Sequence, residues 1–376
     1  MKKVLFVATV VKTHIMEFHL PYLKMFKEKG WETWVVAKND YTNPSDCCIP
    51  YCDHYVDMPF DRSPFSTSNI AVYKDLKKLC NEEKFDIVHC HTPVGGVVGR
   101  LAASKIRKNG SKVFYTAHGF HFYKGSSKIN WMLYYPVEWF MSFKTDTLIT
   151  ITREDYARAK KHFHAKHIEY VPGVGVDLAK FKRTTLDEAT KRDFKHSLGI
   201  AEDAKVVLSV GELNKNKNHQ VVINALSKLR NTNVAYLIAG CGVLDEELKA
   251  LIAELGLQDR VKLLGYRSDI PDLLSIADIY CQPSFREGVS VAIMEAMGYE
   301  LPVICSECRG NVDLIEKVDD ISPYLNPYDI DATAGVIEKI INDADICSRF
   351  GNHNLQKVQS FSLDAVMESM IQYYDI

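Results

Sequence analysis

Asp278-Ile279-Tyr280-Cys281-Gln282-Pro283-Ser284-Phe285-Arg286-Glu287-Gly288-Val289-Ser290-Val291-Ala292-Ile293-Met294-Glu295-Ala296-Met297-Gly298 is the stretch on which the reading of this chain turns. Its first part is an apolar run entering a Pro-Ser turn, which predicts a buried strand. The part after Ser290 is apolar at helical spacing and stops near Gly298, which predicts a helix. Leu301-Pro302-Val303-Ile304 then reads as the next strand. Strand, turn, helix and strand in so short a span form the unit of a parallel α/β sheet.

Two carboxylates frame the turn. Glu287 sits at the mouth of the expected helix, and Glu295 lies about five residues in, roughly 7 Å further along the axis. Between them the N–H groups from Val289 to Ala292 carry partial positive charge, which suits a phosphate. Acceptors on either side of a phosphate site match a ligand built of hydroxyls, phosphate and hydroxyls, the order found in a sugar nucleotide. The spacing alone is also what a helix dipole selects, because it favours Glu in a first turn. The flanking strands and the Gly288 turn give the pattern its weight.

The same alternation extends in both directions. Upstream, strands are expected at Lys3–Ala8, Trp31–Ala37, Phe85–Cys90, Lys112–Ala117 and Thr147–Ile151, with helices at Phe18–Lys29, Asn69–Glu83, Gly95–Lys108 and Arg153–His164. Tyr170-Val171-Pro172-Gly173-Val174-Gly175-Val176-Asp177 interrupts this order with Pro and Gly and reads as an interdomain linker. A second set follows: strands at Lys205–Gly211, Ala235–Gly240 and Val261–Gly265, and helices at Asn218–Leu229 and Leu244–Leu255. The fold class is therefore α/β, with two Rossmann-like parallel-sheet domains facing a central cleft and ligands at the carboxyl ends of the strands. The expected domains are 1–175 and 176–360, with 361–376 as a C-terminal segment.

The 376 residues suit two domains of ordinary size. At 47% hydrophobic and 25% charged residues, the composition is that of a globular protein. No window approaches the ~20 apolar residues of a membrane span. The start, Met1-Lys2-Lys3-Val4-Leu5-Phe6, is too short an apolar run for a signal peptide. A cytoplasmic location, at or near the inner face of the membrane, is the expectation. The ten cysteines form no matched pairs: Cys305-x-x-Cys308 and Cys47-Cys48-x-x-x-Cys52 each stand alone, so free thiols without a metal are expected. His89-Cys90-His91 places two imidazoles on one strand face, but no third ligand follows at matching spacing. Charge is uneven. Residues 1–175 carry 25 Lys and Arg against 17 Asp and Glu and hold ten of the thirteen histidines, whereas the remainder carries 21 against 31. A basic first half suits an anionic partner; a nucleic-acid partner is not expected.

Glu287, the seven residues after it and Glu295 resemble the signature of the retaining glycosyltransferases of family 4, and the likeness extends over essentially the whole chain. The resemblance implies a GT-B fold and transfer of a sugar from a nucleotide diphosphate, a UDP-sugar in particular, to a glycan or a lipid-diphosphate-linked acceptor. It also implies that the first domain, 1–175, takes the acceptor and the second, 176–360, the nucleotide sugar. Such transfer serves bacterial capsule and exopolysaccharide synthesis. Glu287 would contact the donor sugar and Glu295 the ribose, with Arg286, Gly288, Val289, Ser290 and Val291 around them, and no metal or other cofactor is implied. In this family the last helix, here near Leu363 to Tyr374, often crosses back to the first domain. A sugar-nucleotide 2-epimerase or glycan phosphorylase on the same fold is the alternative enzyme, and a non-catalytic two-lobed sugar-binding protein the alternative of another class.

The second strong element is Val210-Gly211-Glu212-Leu213-Asn214-Lys215-Asn216-Lys217-Asn218. Lysines at a strand end can neutralise the growing charge of a diphosphate leaving group. The family carries an Arg after the Gly and a Lys five residues later. Lys217 matches, but Glu212 stands where the Arg is expected. Lys215 or Arg286 would then substitute, or Glu212 would pair with one of them. Tyr115-Thr116-Ala117-His118 ends a strand, and the resemblance places His118 at the family's active-site histidine. A histidine there can titrate near neutrality and donate to the departing phosphate. His121, His91 and His14 are expected on the acceptor side, His14 following a first loop, Thr9 to Thr13, that lacks the family's Gly-rich turn. The Gly265-Tyr266-Arg267-Ser268-Asp269 turn would lie over the base, with Ser268 or Asp269 also fit to cap a helix. Finally, Ser126 to Lys144 holds Trp131, Tyr134, Tyr135, Trp139, Phe140 and Phe143 between Lys128 and Lys144, a composition for either a membrane interface or a packed helix.

Overall fold

The computed structural model describes residues 1–182, 186–230, 233–319 and 321–376. They fold as two compact units, one of Met1–Val174 with Met367–Ile376 and the other of Gly175–Val366. The first unit is a seven-stranded sheet in the order β3-β2-β1-β4-β5-β6-β7, where β1 is Lys3–Val10, β2 Glu32–Lys38, β3 His54–Asp57, β4 Ile87–His91, β5 Lys112–Ala117, β6 Thr147–Thr150 and β7 His167–Tyr170. Every neighbouring pair is parallel. Its central strands are largely apolar and buried along nearly their whole length, as parallel strands covered by helices on both faces are. All of Val4–Val10 and Ile87–His91 is buried.

The second unit repeats the pattern with six parallel strands in the order β10-β9-β8-β11-β12-β13. Here β8 is Lys205–Val210, β9 Val234–Ala239, β10 Val261–Gly265, β11 Ile279–Gln282, β12 Val303–Ser306 and β13 Tyr324–Leu325. In each unit the order reverses once, between β1 and β4 and between β8 and β11. A crevice for ligands opens at such a reversal, at the carboxyl ends of the strands. Both the Gly211–Asn218 loop and the Phe285–Glu295 element leave strands that flank the second reversal.

Several details differ from the sequence reading or refine it. The expected helix Gly95–Lys108 is two helices, Pro93–Ala102 and Ser104–Lys108. The loop after β1 is a single π-helical turn, Val11–Ile15, which does without glycine by turning His14 inward. The aromatic stretch is a helix, Lys128–Ser142, with Pro136 inside it. Among the described residues, no helix is long and apolar enough to cross a membrane. The C-terminal helix runs from Leu363 to Tyr374, and its last part folds with the first unit, where the Tyr374 hydroxyl lies 2.5 Å from His89 Nδ1.

Candidate functional site

In the second unit the two predicted loops are laced together. Phe285 N donates to the Asn216 carbonyl at 2.9 Å, Asn216 Nδ2 to the Arg286 carbonyl at 3.0 Å, and Asn218 Nδ2 to the Pro283 carbonyl at 3.3 Å. Lys217 Nζ lies 2.8 Å from Glu287 Oε1, with the two side chains 21% and 12% exposed. The sugar-contacting carboxylate and the phosphate-binding cation implied by the resemblance thus hold one another. Behind Glu287, the Gly288 carbonyl packs against Gly310 so closely that a β-carbon on Gly310 would fall 1.5 Å from it. Only glycine fits there, and this contact fixes the depth of the turn.

Ser290 caps the helix Val291–Gly298. Its Oγ accepts from Ile293 N at 3.4 Å and is tied to Gln282 at 3.0 Å. The cap takes the Ile293 N–H, outside the set expected to face a phosphate, and leaves those of Val291 and Ala292 without an intrahelical acceptor. Val289 is buried below them. Further in, burial raises the Glu295 carboxyl to about 7, an effect that Lys180 opposes. The Glu295 carboxyl group has no hydrogen bond or ion pair among the described residues, so its oxygens are available to hydroxyls.

The remaining cations do not gather around Glu212. Glu212, Lys215 and Arg286 are exposed, and Glu212 pairs with neither of the others among the described residues. Tyr266 is 83% exposed. Arg267 is forked onto Asp269, Nε to Oδ1 at 2.7 Å. Asp269 therefore gives no side-chain cap to the helix Ile270–Ile276, contrary to the capping expected for it.

In the first unit, His14 from the turn after β1, His91 from the end of β4 and His118 just after β5 come together, and His19 joins them. His91 is 1% exposed and faces this cluster; it does not line the neighbouring cavity expected for an acceptor. Burial lowers His118 to about 4, so it stays a neutral imidazole and does not titrate near neutrality as expected. It can hydrogen-bond a substrate oxygen but does not bring a positive charge. The loop after it is held by the buried Asp155 carboxylate, which accepts from Phe120 N at 3.1 Å.

Beside the cluster lies a cavity of about 600 Å³ whose walls include Val94, Val98, Phe120, Phe122, Leu133 and Val137. Its polar positions include His14, Tyr115, Glu138 and His121, and the His121 ring stacks on Tyr134 with centroids 4.6 Å apart. Thr92, on the rim, takes φ 61°, a strained backbone of the kind found at ligand sites. The cavity wall also carries a buried ion pair that the sequence reading missed. Arg100 Nη2 lies 2.8 Å from Glu138 Oε2, and Tyr115 Oη donates to Glu138 Oε1 at 3.1 Å. A signal existed: Arg100 and Glu138 are single charges inside otherwise apolar helical runs. His19, five residues after His14, carried no such signal.

Residues 190–357 match the family described as "Glycosyl transferases group 1", and residues 3–152 match "Glycosyl transferase 4-like". EpsD of Bacillus subtilis (strain 168) is 39% identical over 376 residues, covering 99% of this chain and 96% of that protein. The UDP-Gal:alpha-D-GlcNAc-diphosphoundecaprenol alpha-1,3-galactosyltransferase of Escherichia coli is 33% identical over 296 residues, 74% of each chain. The crystal structure of Anabaena HepE in complex with UDP and glucose matches with a TM-score of 0.79 over 100% of both chains at 19% identity, which shows a shared fold. With both halves matched and the length of the chain covered, this protein belongs to the family 4-like glycosyltransferases and has their GT-B fold.

Proposed function

We propose that this glycosyltransferase moves a hexose from a UDP-sugar to a saccharide carried on a lipid diphosphate, with retention at the anomeric carbon, in exopolysaccharide assembly at the inner face of the membrane. The observation that carries the reading is the Lys217–Glu287 pair at the head of the helix Val291–Gly298, with the unpartnered Glu295 further in. In the reaction the bond from the anomeric carbon to the phosphate oxygen breaks, and its electron pair stays on the diphosphate. Lys217, Arg286 and the Val291 and Ala292 N–H groups meet that charge, so the reading uses no metal at the phosphates. The acceptor hydroxyl bonds to the same face of the sugar, and its proton passes to the departing phosphate oxygen. Glu287 orients the sugar through its hydroxyls, and neutral His118 accepts or donates a hydrogen bond.

The acceptor class is supported by the apolar cavity of the first unit and by the helix Lys128–Ser142. That helix leaves Ile129, Met132, Leu133, Val137, Trp139 and Phe140 exposed, with Lys128 and Lys144 at its ends. Exposed aromatics and aliphatics between cations suit an anionic bilayer surface. The donor named for the Escherichia coli relative is UDP-Gal and its acceptor a diphosphoundecaprenol-linked sugar.

The test is a panel of nucleotide sugars scored by thermal stabilisation, followed by transfer assays on a lipid-diphosphate-linked saccharide with the new anomer read by NMR. A bound donor at 100 times its dissociation constant adds ~2.7 kcal/mol. Undiminished turnover in both Glu287→Ala and Lys217→Ala would sink the reading. Turnover of the donor alone would point to an epimerase, and a need for free phosphate to a phosphorylase.

A further inference from the structure

We propose that His14, His19, His91 and His118 form a binding site for one divalent transition-metal ion of the zinc class. The four ligand nitrogens all lie within 4.8 Å of one another. The six distances between ring centroids run from 3.8 Å for His19–His91 to 5.9 Å for His14–His91 and His19–His118. A tetrahedral zinc with Zn–N bonds of ~2.0–2.1 Å separates its nitrogens by ~3.4 Å. The widest pair must therefore close by about 1.4 Å, a shift within the reach of small ring rotations.

Three further observations point the same way. His14, His19 and His91 are buried, and His14 Nε2, both nitrogens of His19, both of His91 and Nε2 of His118 have no hydrogen-bond partner among the described residues. Buried polar atoms are ordinarily paired. By contrast the fifth histidine of the group, His89, is fully engaged, Nδ1 with the Tyr374 hydroxyl at 2.5 Å and Nε2 with Thr116 Oγ1 at 2.8 Å. The His89 ring lies tilted against His91 with centroids 4.0 Å apart and supports it without being a ligand. A cavity of about 10 Å³ bounded by His19, His91 and His118 has the room of one water-sized occupant. Imidazole nitrogen suits zinc, nickel and copper better than magnesium or calcium.

The site shares His118 with the transferase reading, so it is tested by metal content and without activity. The full chain is stripped with a chelator, given Zn²⁺ or Co²⁺ and dialysed, and its metal content is measured by mass spectrometry. The expected result is one ion per chain and, with Co²⁺, visible ligand-field bands without a thiolate charge-transfer band. His19→Phe keeps the ring packing and should lower zinc affinity by more than the ~10–100-fold that loss of an outer-shell partner costs. His118→Gln, at the less buried edge, should do the same, and it decides the matter should circular dichroism show His19→Phe to be unfolded. No retained ion, retention unchanged in the folded variants, or a thiolate band placing the ion at Cys47, Cys48 and Cys52 would overturn the proposal.

Discussion

Each unit carries an ion pair beside its sheet reversal, and the two pairs are built for different ends. Arg100 and Glu138 are 1% and 9% exposed, and Glu138 also accepts a hydrogen bond from Tyr115 while Arg100 Nε donates to the Gly96 carbonyl at 2.7 Å. Lys217 and Glu287 are 21% and 12% exposed and touch through one nitrogen and one oxygen. The first pair is saturated and walls an apolar cavity. The second stands beside an exposed Arg286 and a helix start with unpaired N–H groups, so each partner keeps capacity for a ligand. One strand order serves both units, and the loops and helices at the strand ends supply the chemistry.

The comparison breaks most sharply if removing one partner has the same effect in both units. Glu138→Ala leaves the Arg100 guanidinium buried without its carboxylate, a change that typically costs ~3–5 kcal/mol. Urea denaturation should show that loss; one below ~1 kcal/mol would mean that the pair is idle. Glu287→Gln should behave in the opposite way. Its stability stays within ~1 kcal/mol of the parent because the pair is partly solvated, while kcat falls ~10²–10³-fold with the loss of a group positioned for the transition state. Lys217→Ala should match it, and the double variant should cost less than the sum, because partners in contact do not act independently. Additive losses would show that the contact in the structure is incidental to the chemistry.

Why one site was legible and the other was not follows from the same contrast. Glu287, Ser290 and Glu295 lie within one turn and one helix, so spacing alone placed them together. The first unit gathers His14, His19, His91, Arg100, His118 and Glu138 from five separate elements, and no local pattern joins them. The strands divide in the same way. Central β1, β4, β5, β8 and β11 are buried apolar runs and were read directly. The unread strands β3, β7 and β13 are three of the four sheet edges, where only one neighbour is needed and half-exposed residues such as His54 and Tyr55 are tolerated. The Lys128–Ser142 stretch gave two readings because an exposed aromatic face and a packed one share a composition; the structure shows a helix with one face of each kind.

A smaller effect sharpens the second unit's half of the comparison. The Glu295 carboxyl is raised from 4.5 to about 7. Between those values the native chain binds more protons than the unfolded one, so this group's contribution to stability is present at low pH and lost as pH rises. Ionised Glu295 is the better acceptor for hydroxyls, so donor affinity should rise through about pH 7 across the window in which stability falls. Glu295→Gln should flatten both curves and weaken donor binding ~10-fold above pH 7, as expected for losing a charged hydrogen bond. Calorimetric titration of UDP at pH 6 and pH 8 distinguishes this from a purely structural role, which would leave affinity unmoved by pH in both proteins.

The smallest effect concerns Glu212, the carboxylate that stands where the family carries an arginine. It is exposed and paired with no other side chain among the described residues, on the same loop as Lys217. An exposed charge at a phosphate site contributes ~0.2–1 kcal/mol and is screened by salt. Glu212→Arg replaces a repulsion with an attraction and should tighten UDP binding up to ~5-fold at low ionic strength, an advantage that fades as salt is added. Lys215→Ala should act with the opposite sign and similar size if Lys215 has taken over the missing arginine's part. Should Glu212→Arg weaken binding instead, Glu212 would be a ligand in its own right, accepting from the donor's hydroxyls, and the charge for the diphosphate would come from Lys217, Arg286 and the helix N–H groups alone.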